Sequence, residues 1–151
     1  MNRAASAAEV SYLATDLRSY RFRVEGPGVR KPLLMTLDQL RGLPLTTATV
    51  PISCVEGWSV TRTWEGVRVR DLLKAAGARP GASVTVESVE ANGLYRTSQL
   101  NPDQAQASNT LLAFRVNGET INVDHGYPVR LIAPNRPGVL QTKWVHRLVI
   151  T

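Results

Sequence analysis

Cys54 is the single cysteine of the chain and stands in the run Pro51-Ile52-Ser53-Cys54-Val55-Glu56-Gly57-Trp58-Ser59. A β-branched stretch leads into it and a turn-forming stretch follows. That order suits a thiol carried on a rigid strand end and presented at a loop. As a thiolate it could act as a nucleophile, or as a soft ligand for a metal that also takes sulfur. No His or Lys lies near it in sequence, so any activating group must come from the fold. Taken alone, a lone cysteine is more often a small buried hydrophobe. A Cys–His hydrolase would have to draw on His125 or His146, and no local signature marks one. The two histidines and the cysteine also lack the pairwise spacing of a zinc site.

Two later strings bear on the same question: His125-Gly126-Tyr127-Pro128-Val129-Arg130 and Gln141-Thr142-Lys143-Trp144. Gly126 and Pro128 constrain the backbone, while His125 and Arg130 can donate hydrogen bonds to an anion. The planar fork of arginine binds phosphate in a bidentate manner, and Lys143 offers a second cation. Singly, each string reads as a turn entering a strand with a solvated cation. What shifts the balance toward the other reading, a phosphate or pterin contact, is three such strings in one order.

These residues must be positioned by a small fold. A chain of 151 residues with 43% hydrophobic and 20% charged residues is one ordinary domain with one sizeable core. One cysteine excludes an intrachain disulfide. No apolar run approaches the roughly 20 residues that span a bilayer, and residues 1–10 lack the continuous apolar stretch of a signal peptide. The net charge is +6, but the arginines are scattered, with no Lys/Arg block and no aromatic–basic RNA-binding motif. A basic nucleic-acid binder is therefore the weaker reading, and no nucleic-acid partner is expected.

Residues 1–17 read as an Ala/Ser-rich tail or connector, and residues 18–151 as the domain. Tyr20, Phe22 and Val24 alternate with charged residues as a half-buried strand. Thr36 and Gln39 form a capping box ahead of a short helix, and Asn101-Pro102-Asp103-Gln104 repeats the device. Residues 47–53 read as a strand, Trp64-Glu65-Gly66-Val67 as a turn, and residues 69–76 as a helix closed by Gly77. Residues 83–89 form a strand, and Asn117-Gly118 joins strands over 111–116 and 119–123 as a hairpin. Residues 129–133 and 144–150 supply the last strands, separated by a loop over 134–138. Many short strands with a few short helices make an α+β fold of mixed β-sheets.

The ordered set resembles the molybdopterin-binding domain of the sulfite oxidase family from about residue 20 to residue 151. Its pieces are the opening strand with Gly26, the helix over residues 36–40, Cys54, Trp64-Glu65-Gly66-Val67, Leu72-Leu73, Asn117-Gly118, His125-Gly126-x-Pro128-x-Arg130 and Lys143-Trp144. The resemblance implies that Cys54 ligates molybdenum beside the dithiolene of one molybdopterin. It implies that His125 and Arg130 contact the pterin, that Gln141, Thr142 and Lys143 bind its phosphate end, and that Ser88 adds a polar contact.

The departures carry information too. Sulfite oxidases and eukaryotic nitrate reductases have an arginine shortly after the metal cysteine, where this chain has Val55-Glu56-Gly57-Trp58-Ser59. That run is similar to the Cys-Val-Glu-Ala-Trp-Ser of the bacterial methionine sulfoxide reductase branch. A carboxylate there would repel sulfite or nitrate and tolerate a neutral S-oxide or N-oxide. Glu56 could also hold a proton for oxygen-atom removal, and Trp58 could shape the pocket. The family usually carries an Asn-containing cofactor loop before the first strand, of which Asn2-Arg3 is the trace. The expectation is a domain of a larger parent, fed electrons by a membrane cytochrome-like domain or subunit and located on the extracytoplasmic side. Its substrate would be a small molecule or of methionine-sulfoxide type. The alternative is a cofactor-free binding module on the same fold that docks a partner or anionic ligand.

Overall fold

The computed structural model describes residues 4–53, 59–91, 96–133 and 141–151. The alternation at Phe22 and Val24 produces β1 (Phe22–Glu25), with both side chains fully buried. A short antiparallel partner, β2 (Leu33–Met35), precedes α1 (Leu37–Arg41). The α1 capping box is complete: Thr36 Oγ1 accepts the Gln39 N–H at 3.2 Å and Gln39 Oε1 accepts the Thr36 N–H at 2.9 Å. Next come β3 (Thr46–Ser53), β4 (Ser59–Arg68) and α2 (Val69–Ala75). Then β5 (Val84–Ser88) and β6 (Thr97–Leu100) lead to α3 (Pro102–Gln106), which Asn101 and Gln104 cap reciprocally. The chain closes with β7 (Leu111–Val116), β8 (Glu119–Thr120), β9 (Arg130–Ile132) and β10 (Val145–Ile150).

Two five-stranded sheets result, ordered β2-β1-β10-β5-β6 and β3-β4-β7-β8, with β9 also on β7. Only the β1–β10 pair is parallel among those described; the hairpin and meander pairs are antiparallel. The fold is thus α+β with mixed sheets. The main core lies where α1 and α2 meet the first sheet, around Phe22, Leu40, Leu72, Val86 and Leu148. Val67, Leu112, Phe114 and Leu131 of the second sheet also enter this core, and a smaller cluster of Val50, Trp64, Leu111, Ala113, Ile121 and Ile132 covers the opposite face of that sheet. Among the described residues no helix is long and apolar enough to cross a membrane.

Three expectations change. Trp64-Glu65-Gly66-Val67 is not a turn but the middle of β4. A Cβ on Gly66 would stand 2.0 Å from the Leu112 carbonyl oxygen, so the glycine marks a close backbone approach of β7, where the register shifts. Residues 119–123 form a strand only as far as Thr120; Ile121 still donates to the Phe114 carbonyl at 3.1 Å before the chain turns away. Residues 4–17, expected as a tail or connector, pack on the domain: Ala5, Ala8, Val10 and Leu13 enter the main core. The Ala5 N–H is held by Asp124 Oδ1 at 2.9 Å.

Candidate functional site

The site is built on the turn between β8 and β9. Asn122 Oδ1 accepts the Asp124 N–H at 2.8 Å and opens a single 3-10 turn over Val123–His125. Gly126 follows at φ +120° and is buried, and the Tyr127–Pro128 bond is cis. A Cβ on Gly126 would lie 2.9 Å from Arg130 Cβ and 3.3 Å from Lys143 Cβ. Only glycine combines that φ with that closeness. The segment before β10 is laced onto this turn: Trp144 Nε1 donates to the Val123 carbonyl at 2.7 Å, Leu131 N–H to Thr142 at 2.9 Å, and Val145 N–H to Val129 at 2.9 Å. Strings more than ten residues apart in the chain therefore become neighbours. Gly126→Ala is expected to destabilise the domain by about 1–3 kcal/mol through the strained backbone. Urea unfolding checks this, and an unchanged midpoint with an unchanged m-value would remove the argument.

Arg130 is buried at 8% exposure, with its guanidinium 5.4 Å above the Trp64 ring and Nη1 donating to the His125 carbonyl at 3.1 Å. Lys143 is buried at 7%; its Nζ donates to the Asp124 carbonyl at 2.8 Å and lies 4.6 Å from the centre of the Trp144 ring. These carbonyls and aromatic faces orient the two cations. Burial, and then the charge of Arg130, push the Lys143 ammonium down to about 8, against the opposing pull of Asp124 and Glu90. His125 is exposed, yet desolvation on its inner side lowers its pKa, as do Arg130, Lys143 and Arg62 in turn, with Asp124 opposing. Mutually repelling cations favour an anion among them.

A pH dependence follows with a definite sign. Below about pH 8 Lys143 carries its proton with or without an anion present. Above that value the free site has lost the proton, and a bound anion must bring it back. The affinity of the domain for inorganic sulfate is expected to be flat from about pH 7 to about pH 8, then to fall up to tenfold per unit. Calorimetric titration checks this, and K143M should abolish the slope.

The remaining expected residues divide. Thr142 Oγ1 is hydrogen-bonded to Ser98 Oγ, and Gln141 Oε1 accepts the Ala133 N–H at 2.7 Å, all four groups being buried. These side chains fix the course of the chain next to Lys143. Ser88 pairs with Val145 across β5 and β10, and its Oγ accepts the Glu90 N–H at 3.0 Å, which places it beside the same segment. Ser88, His125, Arg130, Gln141, Thr142 and Lys143 thus belong to one neighbourhood. Cys54 and Glu56 lie outside the described residues. Residues 54–58 connect β3 to β4, whose last described pair is Ser53 with Ser59.

Sequence reasoning missed Trp64, Glu90, Ser98 and Arg62. Trp64 carries a further signal: its indole Nε1 is buried with no acceptor among the described residues. An unsatisfied buried donor under Arg130, a glycine cradle and two buried cations fit a phosphorylated heterocycle rich in acceptors.

The family model described as "Oxidoreductase molybdopterin binding domain" matches residues 8–151. The chain is 29% identical over 137 residues to the uncharacterized oxidoreductase YuiH of Bacillus subtilis, covering 90% of this chain and 67% of that protein. It is 30% identical over 166 residues to sulfite oxidase of Gallus gallus, covering 91% of this chain but 36% of that protein. The sulfane dehydrogenase SoxCD of Paracoccus pantotrophus superposes with a TM-score of 0.80 at 29% identity, covering 90% of this chain and 39% of that one. The chain therefore spans about two thirds of one relative and well under half of the other two.

Proposed function

The chain belongs to the oxidoreductase molybdopterin-binding domain family, in its sulfite oxidase-like group; from that membership we propose that it holds one molybdenum–molybdopterin, and from the run Val55-Glu56-Gly57-Trp58 after Cys54 that it reduces an S-oxide or N-oxide. The observation that carries this reading is the convergence of Arg130, Lys143 and His125 around the Gly126 turn, above the unsatisfied Trp64 indole.

Arg130 and Lys143 would hold the anionic end of the cofactor. Both are buried and oriented by carbonyls, so they need little reordering to bind. His125, whose neutral form is favoured by desolvation and by the neighbouring cations, can then donate from one ring nitrogen and accept at the other. Gln141 and Thr142 keep Lys143 in place through their bonds to Ala133 and Ser98. Cys54 would supply the protein's thiolate to the metal. When bound, the molybdenum centre supplies two-electron exchange coupled to the transfer of one oxygen atom.

Reduction of an S-oxide consumes two electrons and two protons and releases the sulfide and water. Glu56, two residues after Cys54, is the nearest carboxyl group in sequence to supply a proton. The electrons come from a donor outside this domain, a membrane cytochrome-like domain or subunit on the extracytoplasmic side.

The test is molybdenum content per chain by elemental mass spectrometry, on wild type and C54S made with cofactor supply. About one Mo per wild-type chain is expected, with loss or an altered metal spectrum in C54S. A C54S protein with full Mo and full turnover would sink the assignment of Cys54. Wild type without Mo would favour a cofactor-free binding module.

A further inference from the structure

Arg62 stands apart from the other cations of the site. It lies on β4 opposite Val50 and two residues before Trp64. Residues two apart on a strand share a face, so Arg62 projects on the side where Trp64 underlies the Arg130 guanidinium. The intervening Thr63 faces the other way, where its hydroxyl meets that of Thr49 at 2.8 Å. Val50 and Trp64 pack with Ile121, which leads directly into the His125 turn. The charge of Arg62 is accordingly felt at the His125 ring.

Arg62 is exposed, and no hydrogen bond or ion pair of its side chain is found among the described residues, whereas Glu65, three residues on, pairs with Arg115 at 3.8 Å. Among the described residues, the acids near the cluster are Asp124 and Glu90, beside the cations Arg62, Arg130 and Lys143. Asp124 already accepts the Ala5 N–H. Burial suits Arg130 and Lys143 to a resident group. An exposed guanidinium at the rim suits one that comes and goes.

We propose that Arg62 binds an anionic group of the substrate, separate from the atom that is reduced, so that the preferred substrate is an S-oxide or N-oxide that also carries a carboxylate or similar oxyanion. This rests on the oxygen-transfer reading above and adds a charge requirement to it. The binding contact would be a fork of two charge-assisted hydrogen bonds, which lysine reproduces only in part.

The test uses two sulfoxides that differ by one para-carboxylate, methyl phenyl sulfoxide and 4-(methylsulfinyl)benzoate, with the cofactor-loaded domain. The unreactive sulfone 4-(methylsulfonyl)benzoate serves as a binding probe by calorimetry. R62A is expected to lower kcat/KM for the carboxylate about tenfold relative to the neutral sulfoxide, the loss of a two-bond fork weakened by solvent at an exposed position. The loss should fall on KM, R62K should recover part of it, and R62E should reverse the preference. Sulfone affinity should fall in parallel while molybdenum and pterin contents stay at the wild-type level. An unchanged ratio overturns the proposal. Loss of pterin from R62A also overturns it, by making Arg62 a cofactor residue. If the wild type holds no Mo or reduces neither sulfoxide, the oxygen-transfer reading fails, and sulfone binding still decides Arg62. Weaker binding by R62A supports it, and equal or absent binding in both proteins overturns it.

Discussion

Arg130→Ala is expected to weaken molybdopterin retention by roughly tenfold to a hundredfold, the largest effect on function of any substitution outside residues 54–58. The estimate is the loss of one or more charge-assisted hydrogen bonds at about 1.5–3 kcal/mol each, with 1.4 kcal/mol to each factor of ten. Two features of the site support the upper part of the range. The guanidinium is buried, so water competes little for it, and it is oriented before binding by the His125 carbonyl and the Trp64 face. Lysine at the same position would keep the charge and much of the stem over Trp64 but lose the planar fork. R130K is therefore expected to retain more cofactor than R130A and less than wild type. Molybdenum and released pterin, counted per chain after gel filtration, give the measurement, and a urea unfolding curve separates cofactor loss from loss of fold. R130A with wild-type metal and pterin contents would remove Arg130 from the binding site.

Gly66→Ala is expected to cost about 3 kcal/mol or more of stability, the upper end of what an added methyl group costs in a packed interior. The new Cβ would meet the Leu112 carbonyl oxygen at 2.0 Å, and Ala113 Cα and the Leu112 carbonyl carbon at 2.6 Å. All three are backbone atoms of β7, so no side-chain rotation relieves the clash, and β4 would have to part from β7. The consequence reaches the site, because β4 carries Trp64 and β7 carries β9 with Arg130 on its other edge. The variant should unfold at markedly lower urea and, when folded, hold less cofactor. A wild-type midpoint would show that the two strands can separate locally at little cost.

Gly66 also shows where reading the sequence reaches its limit. Glu-Gly between two apolar residues has the local composition of a turn, and nothing within the run itself distinguishes a bend from a strand crossed closely by another. The partner that makes the difference, β7, begins more than forty residues later. Arg62 was passed over for the same reason: an arginine on an exposed strand end gains meaning only from Trp64, Arg130 and His125 gathered around it. Residues 4–17 look like a tail because alanine and serine mark no core. They pack nonetheless, since small side chains let the chain lie close against the 3-10 turn that contains Asp124. His125, Arg130 and Lys143, by contrast, stand in two strings whose residue types and order are properties of the chain itself.

What the sequence determined by itself are features whose cause is local. The capping boxes at Thr36 and Asn101, the glycine closing α2 and the Asn117-Gly118 hairpin each depend on hydrogen bonds and φ preferences within a few residues. The ordered strings ending at Arg130 and Lys143 likewise named the family. Only the tertiary structure decided that β4 continues through Gly66, that Arg62 shares a face with Trp64, and that Lys143 is buried far enough to titrate near pH 8. Burial, close backbone approach and electrostatic crowding are sums over residues distant in the chain, and no short window of sequence contains their terms.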